Sequence, residues 1–165
     1  MFEDDVHLGD DAELLLNDKS WFAGKDIIKL EKFHKKVELS FKAENVDNTD
    51  RKLHQLLGKN LGTAGYIMSN SGCNYAIKYV KKMKKIECID IVLFNQTKYP
   101  KSIKIYQLQP AMVIQDNILN HQAVRFASTI AHDKRVSNRI SLDKKIKREL
   151  TRAVSSIRMR AMTFS

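Results

Sequence analysis

The chain predicts an α+β fold: a small antiparallel sheet with helices packed on one face and a basic C-terminal helix. Three observations carry this reading. Val37, Leu39, Phe41 and Ala43 alternate with Glu38, Ser40 and Lys42, the period of a half-buried strand. The apolar stretches 87–94 and 102–108 flank a turn containing Pro100 and read as a hairpin. Residues 142–161 place apolar side chains at helical spacing. The chain has 165 residues, 43% hydrophobic and 29% charged, enough to bury a core without disulfides or metals. No apolar run approaches the roughly 20 residues of a membrane-spanning helix. The start, Met-Phe-Glu-Asp-Asp, lacks the basic-then-apolar order of a secretory leader. Cys73 and Cys88 cannot frame a disulfide scaffold, and reduced thiols in a cytosol-like compartment are expected.

In chain order, residues 1–9 read as disordered. Asp10 or Asp11 can cap a short helix over 12–16, because an Asp side chain accepts from the free amides of a first helical turn. Its three leucines should dock. Trp21 to Gly24 forms an apolar turn. Residues 26–44 are ambiguous at first, since Ile27, Ile28, Leu30 and Phe33 suit a helix, and then become the strand at 37–43. Polar residues 45–50 turn the chain. Residues 51–58 read as a short helix, with Leu53, Leu56 and Leu57 inward and Gly58 as its stop. Gly58, Gly62 and Gly65 make a flexible loop that lacks the Gly-Lys-Ser/Thr ending of a phosphate loop. Ser69 to Gly72 starts a helix over 73–86. Residues 111–132 are mixed, and Ser141 caps the last helix, 141–162.

The uneven charge directs the functional expectation. The chain carries a net +10. The first 18 residues hold seven acids and no Lys or Arg, and residues 19–165 hold all 29 basic residues against 12 acidic ones. The expected division is therefore an acidic segment, 1–18, before a basic α+β domain, 19–165. On a helical wheel Leu142, Ile146, Leu150, Ala153, Val154, Ile157 and Ala161 share one arc, leaving a cationic ridge that includes Lys144, Lys145, Arg148, Arg152 and Arg158. The helix at 73–86 repeats the theme: Ala76, Val80 and Met83 inward, Lys78, Lys81, Lys82 and Lys85 outward. Tyr75 and Tyr79 lie on the border, as core-rim residues before base-stacking ones. Arg forks and Lys ammonium groups suit phosphate. The first expectation is a non-enzymatic protein that grips RNA or DNA through those nine basic residues. The second is a virion structural or matrix-like protein whose basic face meets RNA or anionic membrane and whose acidic head meets a second copy or another protein. Both place the chain in the cytoplasm, the nucleus or a virion, with no cofactor and no metal.

A third expectation rests on chemistry. Cys73 sits in Ser-Gly-Cys-Asn-Tyr-Ala at a helix start, where the helix field favours a thiolate. His121, in Asn-His-Gln-Ala-Val, can serve as base, with Asp133 or Asn138 to orient it. The order Cys, His, Asp/Asn is similar to that of papain-like cysteine hydrolases, and the resemblance implies acyl transfer through Cys73 and His121. Gln122 interrupts that family's His-Ala-Val pattern. The two cysteines and five scattered histidines offer no structural zinc spacing.

Overall fold

The computed structural model describes residues 1–85, 87–120 and 152–165. It is a mixed α+β structure, as expected. Among these residues, strands and α-helices follow in the order β1 (Val6–Leu8), α1 (Ala12–Asn17), β2 (Ile27–Lys29), β3 (Lys36–Asn45), β4 (Lys52–Leu56), β5 (Tyr66–Met68), α2 (Asn70–Lys81), α3 (Ile89–Leu93), β6 (Ile105–Gln109), β7 (Val113–Gln115), α4 (Asp116–Leu119) and β8 (Met159–Ala161). Residues 152–158 are helical and lead into β8.

The main sheet runs β5-β2-β6-β4-β3-β8. It is mixed rather than antiparallel, because β2 and β6 are parallel, with Ile27 opposite Ile105 and Lys29 opposite Gln107. The β1–β7 ribbon is antiparallel, and a bridge from Glu31 to Val113 ties it to the end of β2. Residues 6–8, expected to be disordered, form this ribbon because β7 supplies backbone partners.

Both faces of the sheet are covered, not one. Ile27, Leu39, Leu56 and Ile105 pack beneath Ala76 of α2 and Val92, Leu93 and Phe94 at α3. Ile28, Leu30, Leu53 and Leu108 pack on the other side with Ala12 and Leu15 of α1 and with Trp21. This explains two differences from the sequence reading. Leu53 and Leu56, three apart, look like one helical face. In β4 that odd spacing sends them to opposite faces, and both are buried. Ile27, Ile28 and Lys29 are consecutively buried for the same reason. The 87–94 segment is helix α3, not a hairpin strand. Cys88 and Asp90 carbonyls accept from the amides of Val92 and Phe94, and a short apolar run does not by itself distinguish helix from strand.

The strand expected at 37–43 is β3. Ser40 marks a register shift against β4: its hydroxyl donates to the Lys42 carbonyl and accepts from the Gln55 amide, a bulge closed by its own side chain. Ser69 caps α2 by accepting from the Gly72 amide. Tyr75 and Tyr79 stack on one another and pack against the core, as core-rim residues.

The C-terminal helix differs most. Residues 121–151, and with them the first half of the expected 141–162 helix, lie outside the described residues. In the described part the chain becomes strand at Met159, and the apolar arc does not face inward: Val154 and Ile157 are 48% and 70% exposed. Leu39, by contrast, is fully buried. Urea unfolding of Leu39→Ala should therefore show a loss of about 2–5 kcal/mol. Ile157→Ser should stay within about 0.5 kcal/mol of the parent.

Candidate active site

The described members of the expected binding set lie on α2, just beyond its end, and in the C-terminal segment. Lys78 and Lys81 on α2, and Lys82 and Lys85 beyond its end, are exposed. Lys144, Lys145 and Arg148 lie outside the described residues. Arg152 is exposed, and Arg158 is half-buried with its guanidinium 3.9 Å from the Glu38 carboxylate. Cys73 is exposed on the first turn of α2, and His121, its expected base, lies outside the described residues.

The chemistry gathers elsewhere, where β2 and β6 end side by side. Loops leaving the carboxyl ends of parallel strands are favoured ligand positions in open sheets. Lys29 and Glu31, two apart on β2 and its extension, send their side chains to the same face. Both side chains are wholly buried. Lys29 Nζ is 2.8 Å from Glu31 Oε2, donates to the Gly62 carbonyl at 2.6 Å, and lies 4.4 Å from the Phe94 ring centroid. Glu31 Oε2 also accepts from the Ala64 amide at 3.0 Å. Glu31 Oε1 is buried with no hydrogen-bond partner. Beside them the Asn60 amide donates to Gln107 Oε1 at 2.6 Å, and Gln107 donates to the Glu31 carbonyl at 3.2 Å. Asn60 Oδ1 is a second buried acceptor left without a partner.

Burial pushes the Glu31 carboxyl upward and the Lys29 ammonium downward, because loss of water outweighs what each gains from the other's charge. His34 nearby is lowered, first by burial and then by the positive charges of Lys29 and Lys59.

The loop held by this pair holds the acidic start of the chain in turn. The Glu3 amide donates to the Ala64 carbonyl. Thr63 Oγ1 donates to Glu3 Oε1 at 2.5 Å. Gln115, on β7, donates to Glu3 Oε2 at 3.0 Å and to the Asp5 carboxylate oxygens at 3.3 and 3.5 Å. The Asp116 amide closes the segment on the Asp5 carbonyl. Asp4, between Glu3 and Asp5, is exposed. Two residues beyond Asp5, His7 Nε2 lies 2.7 Å from Asp116 Oδ1.

The site therefore offers a row of carboxylates at the surface, backed by a polar network with almost no solvent. Carboxylates accept protons and hydrogen bonds from hydroxyl groups. Glu3 and Asp5 converge on the Gln115 amide nitrogen, and a divalent cation sharing its ligands with substrate phosphates needs only one or two such carboxylates. Among the described residues no group of three His, Cys, Asp or Glu is arranged to hold a metal by itself.

Two sequence signals for this site stand in plain view. Ile-Ile-Lys-Leu-Glu puts opposite charges two apart inside an apolar strand, which aims both at one buried face. Glu-Asp-Asp-Val-His-Leu puts acids immediately before a short apolar alternation. Treating residues 1–18 only as a charged head hides the second.

Comparison with known proteins bears on the same residues. The chain is 32% identical over 165 residues to the lipooligosaccharide biosynthesis protein lex-1 of Haemophilus influenzae, covering 95% of this chain and 55% of that protein. It is 30% identical over 125 residues to the lacto-N-neotetraose biosynthesis glycosyltransferase LgtE of Neisseria gonorrhoeae, 70% of this chain and 44% of the relative. It is 27% identical over 172 residues to LgtB of the same organism, 95% and 61% respectively. The chain thus spans about half the length of the curated relatives it matches. The family model for glycosyltransferase family 25, described as LPS biosynthesis proteins, matches residues 1–93.

These findings overturn the nucleic-acid reading, the virion or matrix reading, the cysteine-hydrolase reading, and the partners and setting attached to them. The nuclear and virion-associated settings are overturned, since the relatives are bacterial lipooligosaccharide- and lipopolysaccharide-biosynthesis proteins. The physical reason is that net charge describes a whole surface and names no partner. With its match running through the Glu3–Asp5 segment, the Lys29–Glu31 pair and the loop between Asn60 and Ala64, the chain belongs to glycosyltransferase family 25.

Proposed function

We propose that this chain takes part in glycosyl transfer during assembly of a bacterial lipooligosaccharide, with the Glu3-Asp4-Asp5 segment at the reacting centre. The observation that carries this reading is that the family match covers the carboxylate segment, the Lys29–Glu31 pair and the loop between Asn60 and Ala64. The parallel β2–β6 pair, with helices on both faces, fits a Rossmann-like glycosyltransferase fold with its ligands beyond the strand ends.

Transfer joins an acceptor hydroxyl oxygen to the anomeric carbon of an activated sugar. The bond from that carbon to the leaving group breaks, and the leaving group departs with the electron pair. The hydroxyl proton goes to a base. Asp4 is exposed and the flanking carboxylates are half-buried, so this segment can take that proton and accept hydrogen bonds from neighbouring sugar hydroxyls.

The test is a transfer assay with a panel of nucleotide-diphosphate hexoses and lipooligosaccharide as acceptor, read as a one-hexose mass gain. A carboxylate acting as base should lose about 10²- to 10⁴-fold in kcat on amide substitution, and Glu3→Gln, Asp4→Asn and Asp5→Asn each address one. Parental turnover in all three variants would remove the segment from the reacting centre.

A further inference from the structure

We propose that Lys29 and Glu31 are positioning residues for the Glu3–Asp5 carboxylates, acting through the loop between Asn60 and Gly65. This rests on the reading of that segment as the transfer site.

The connection is continuous. Lys29 fixes the loop at the Gly62 carbonyl and Glu31 fixes it at the Ala64 amide. Thr63 lies between these two anchors. Its hydroxyl and the Ala64 carbonyl are the loop's two hydrogen bonds to Glu3. The Asn60–Gln107 bond braces the start of the same loop on β6. A buried ion pair is a poor source of net stability, since desolvating both charges costs about as much as their attraction returns. This pair also leaves Glu31 Oε1 without a partner, which a pair serving stability alone would satisfy. What it supplies is direction. Two charged groups with fixed donors and acceptors hold three consecutive loop residues in one conformation, and Glu3 takes its place from them. A displacement of about 1 Å in a catalytic group costs on the order of 100-fold in rate, so such a hold matters to turnover.

Thr63→Val removes the link to the Glu3 carboxylate at a half-buried residue, and leaves the Ala64 backbone bond and the ion pair intact. In the transfer assay it should lower kcat by about 10- to 100-fold, with donor KM within about twofold and Tm unchanged. Added to Glu3→Gln it should cost nothing further, because both changes act on one carboxylate. Glu31→Gln should raise hydrogen exchange at the Glu3 and Ala64 amides about 10-fold while the amides of β6 stay protected. This second measurement needs no substrate. Parental kcat in Thr63→Val alongside an impaired Glu3→Gln, additive losses in the double variant, or unchanged exchange at the Glu3 amide in Glu31→Gln would each overturn the proposal. Full turnover in Glu3→Gln, Asp4→Asn and Asp5→Asn would instead overturn the site assignment, and the exchange result would then still decide whether the pair holds the segment.

Discussion

Lys29→Met is expected to lower the folding free energy by about 3–5 kcal/mol at neutral pH, the cost of leaving one member of a buried pair uncompensated. Glu31 would keep its Ala64 contact and lose both the ammonium and the charge that favours its ionised form. The loss depends on pH with a definite sign. Glu31 is already raised above its ordinary 4.5 by burial, and removal of Lys29 takes away the main influence holding it down. A carboxyl whose folded value is raised binds its proton more tightly in the native state than in the unfolded state. Stability is therefore least affected below about pH 4.5 and falls as pH climbs through the folded value. Urea unfolding from pH 4 to 8 should show the gap between variant and parent widening upward. The double variant Lys29→Met/Glu31→Leu should recover most of the loss, because an apolar pair of similar volume has no charge to desolvate. Equal instability of the double and single variants would mean that shape, rather than charge, governs this position.

Gly62→Ala should be comparably severe, at least about 3 kcal/mol. Gly62 has φ +94°, and a Cβ there would stand 2.5 Å from Glu31 Oε1 and 2.8 Å from Oε2. Left-handed backbone alone costs an L residue roughly 1–2 kcal/mol. The remainder comes from the carboxylate, which is fixed by Lys29 and the Ala64 amide and has no room to retreat. Gly24 provides the comparison: its φ is +71°, and a methyl group there would meet nothing within 4 Å. Gly24→Ala should show the backbone cost only. If the two variants lose the same amount, Glu31 is not confined as described. The glycines of this loop suggest flexibility in the sequence, but in the folded protein Gly62 marks a close approach of backbone to a buried charge.

Local pattern makes some elements legible. The alternation at 37–43 is β3, Ser69 opens α2, and Tyr75 and Tyr79 belong to the core rim. Period and capping are properties of neighbouring residues, so they can be read without the rest of the chain. Where both faces of a strand are covered, period loses its meaning, and β2 and β4 are obscured for that reason. The short run at 89–93 has no period to read. A helical wheel over 142–161 turns Val154 and Ile157 inward, and the structure exposes them. An amphipathic pattern says that a face is apolar, not that anything covers it.

The site divides the same way. Lys29, Glu31, Glu3 and Asp5 are all visible as charged residues, and two of them stand conspicuously inside an apolar run. By itself the sequence determined the α+β class and the capped start of α2. Only the tertiary structure decided that β2 lies parallel to β6, that the loop at Gly62 closes over the buried pair, and that an acidic beginning is held against that loop rather than loose in water. Contacts such as Thr63 with Glu3 join residues 60 positions apart. Hydrogen bonds of that range exist only once the sheet has ordered its strands.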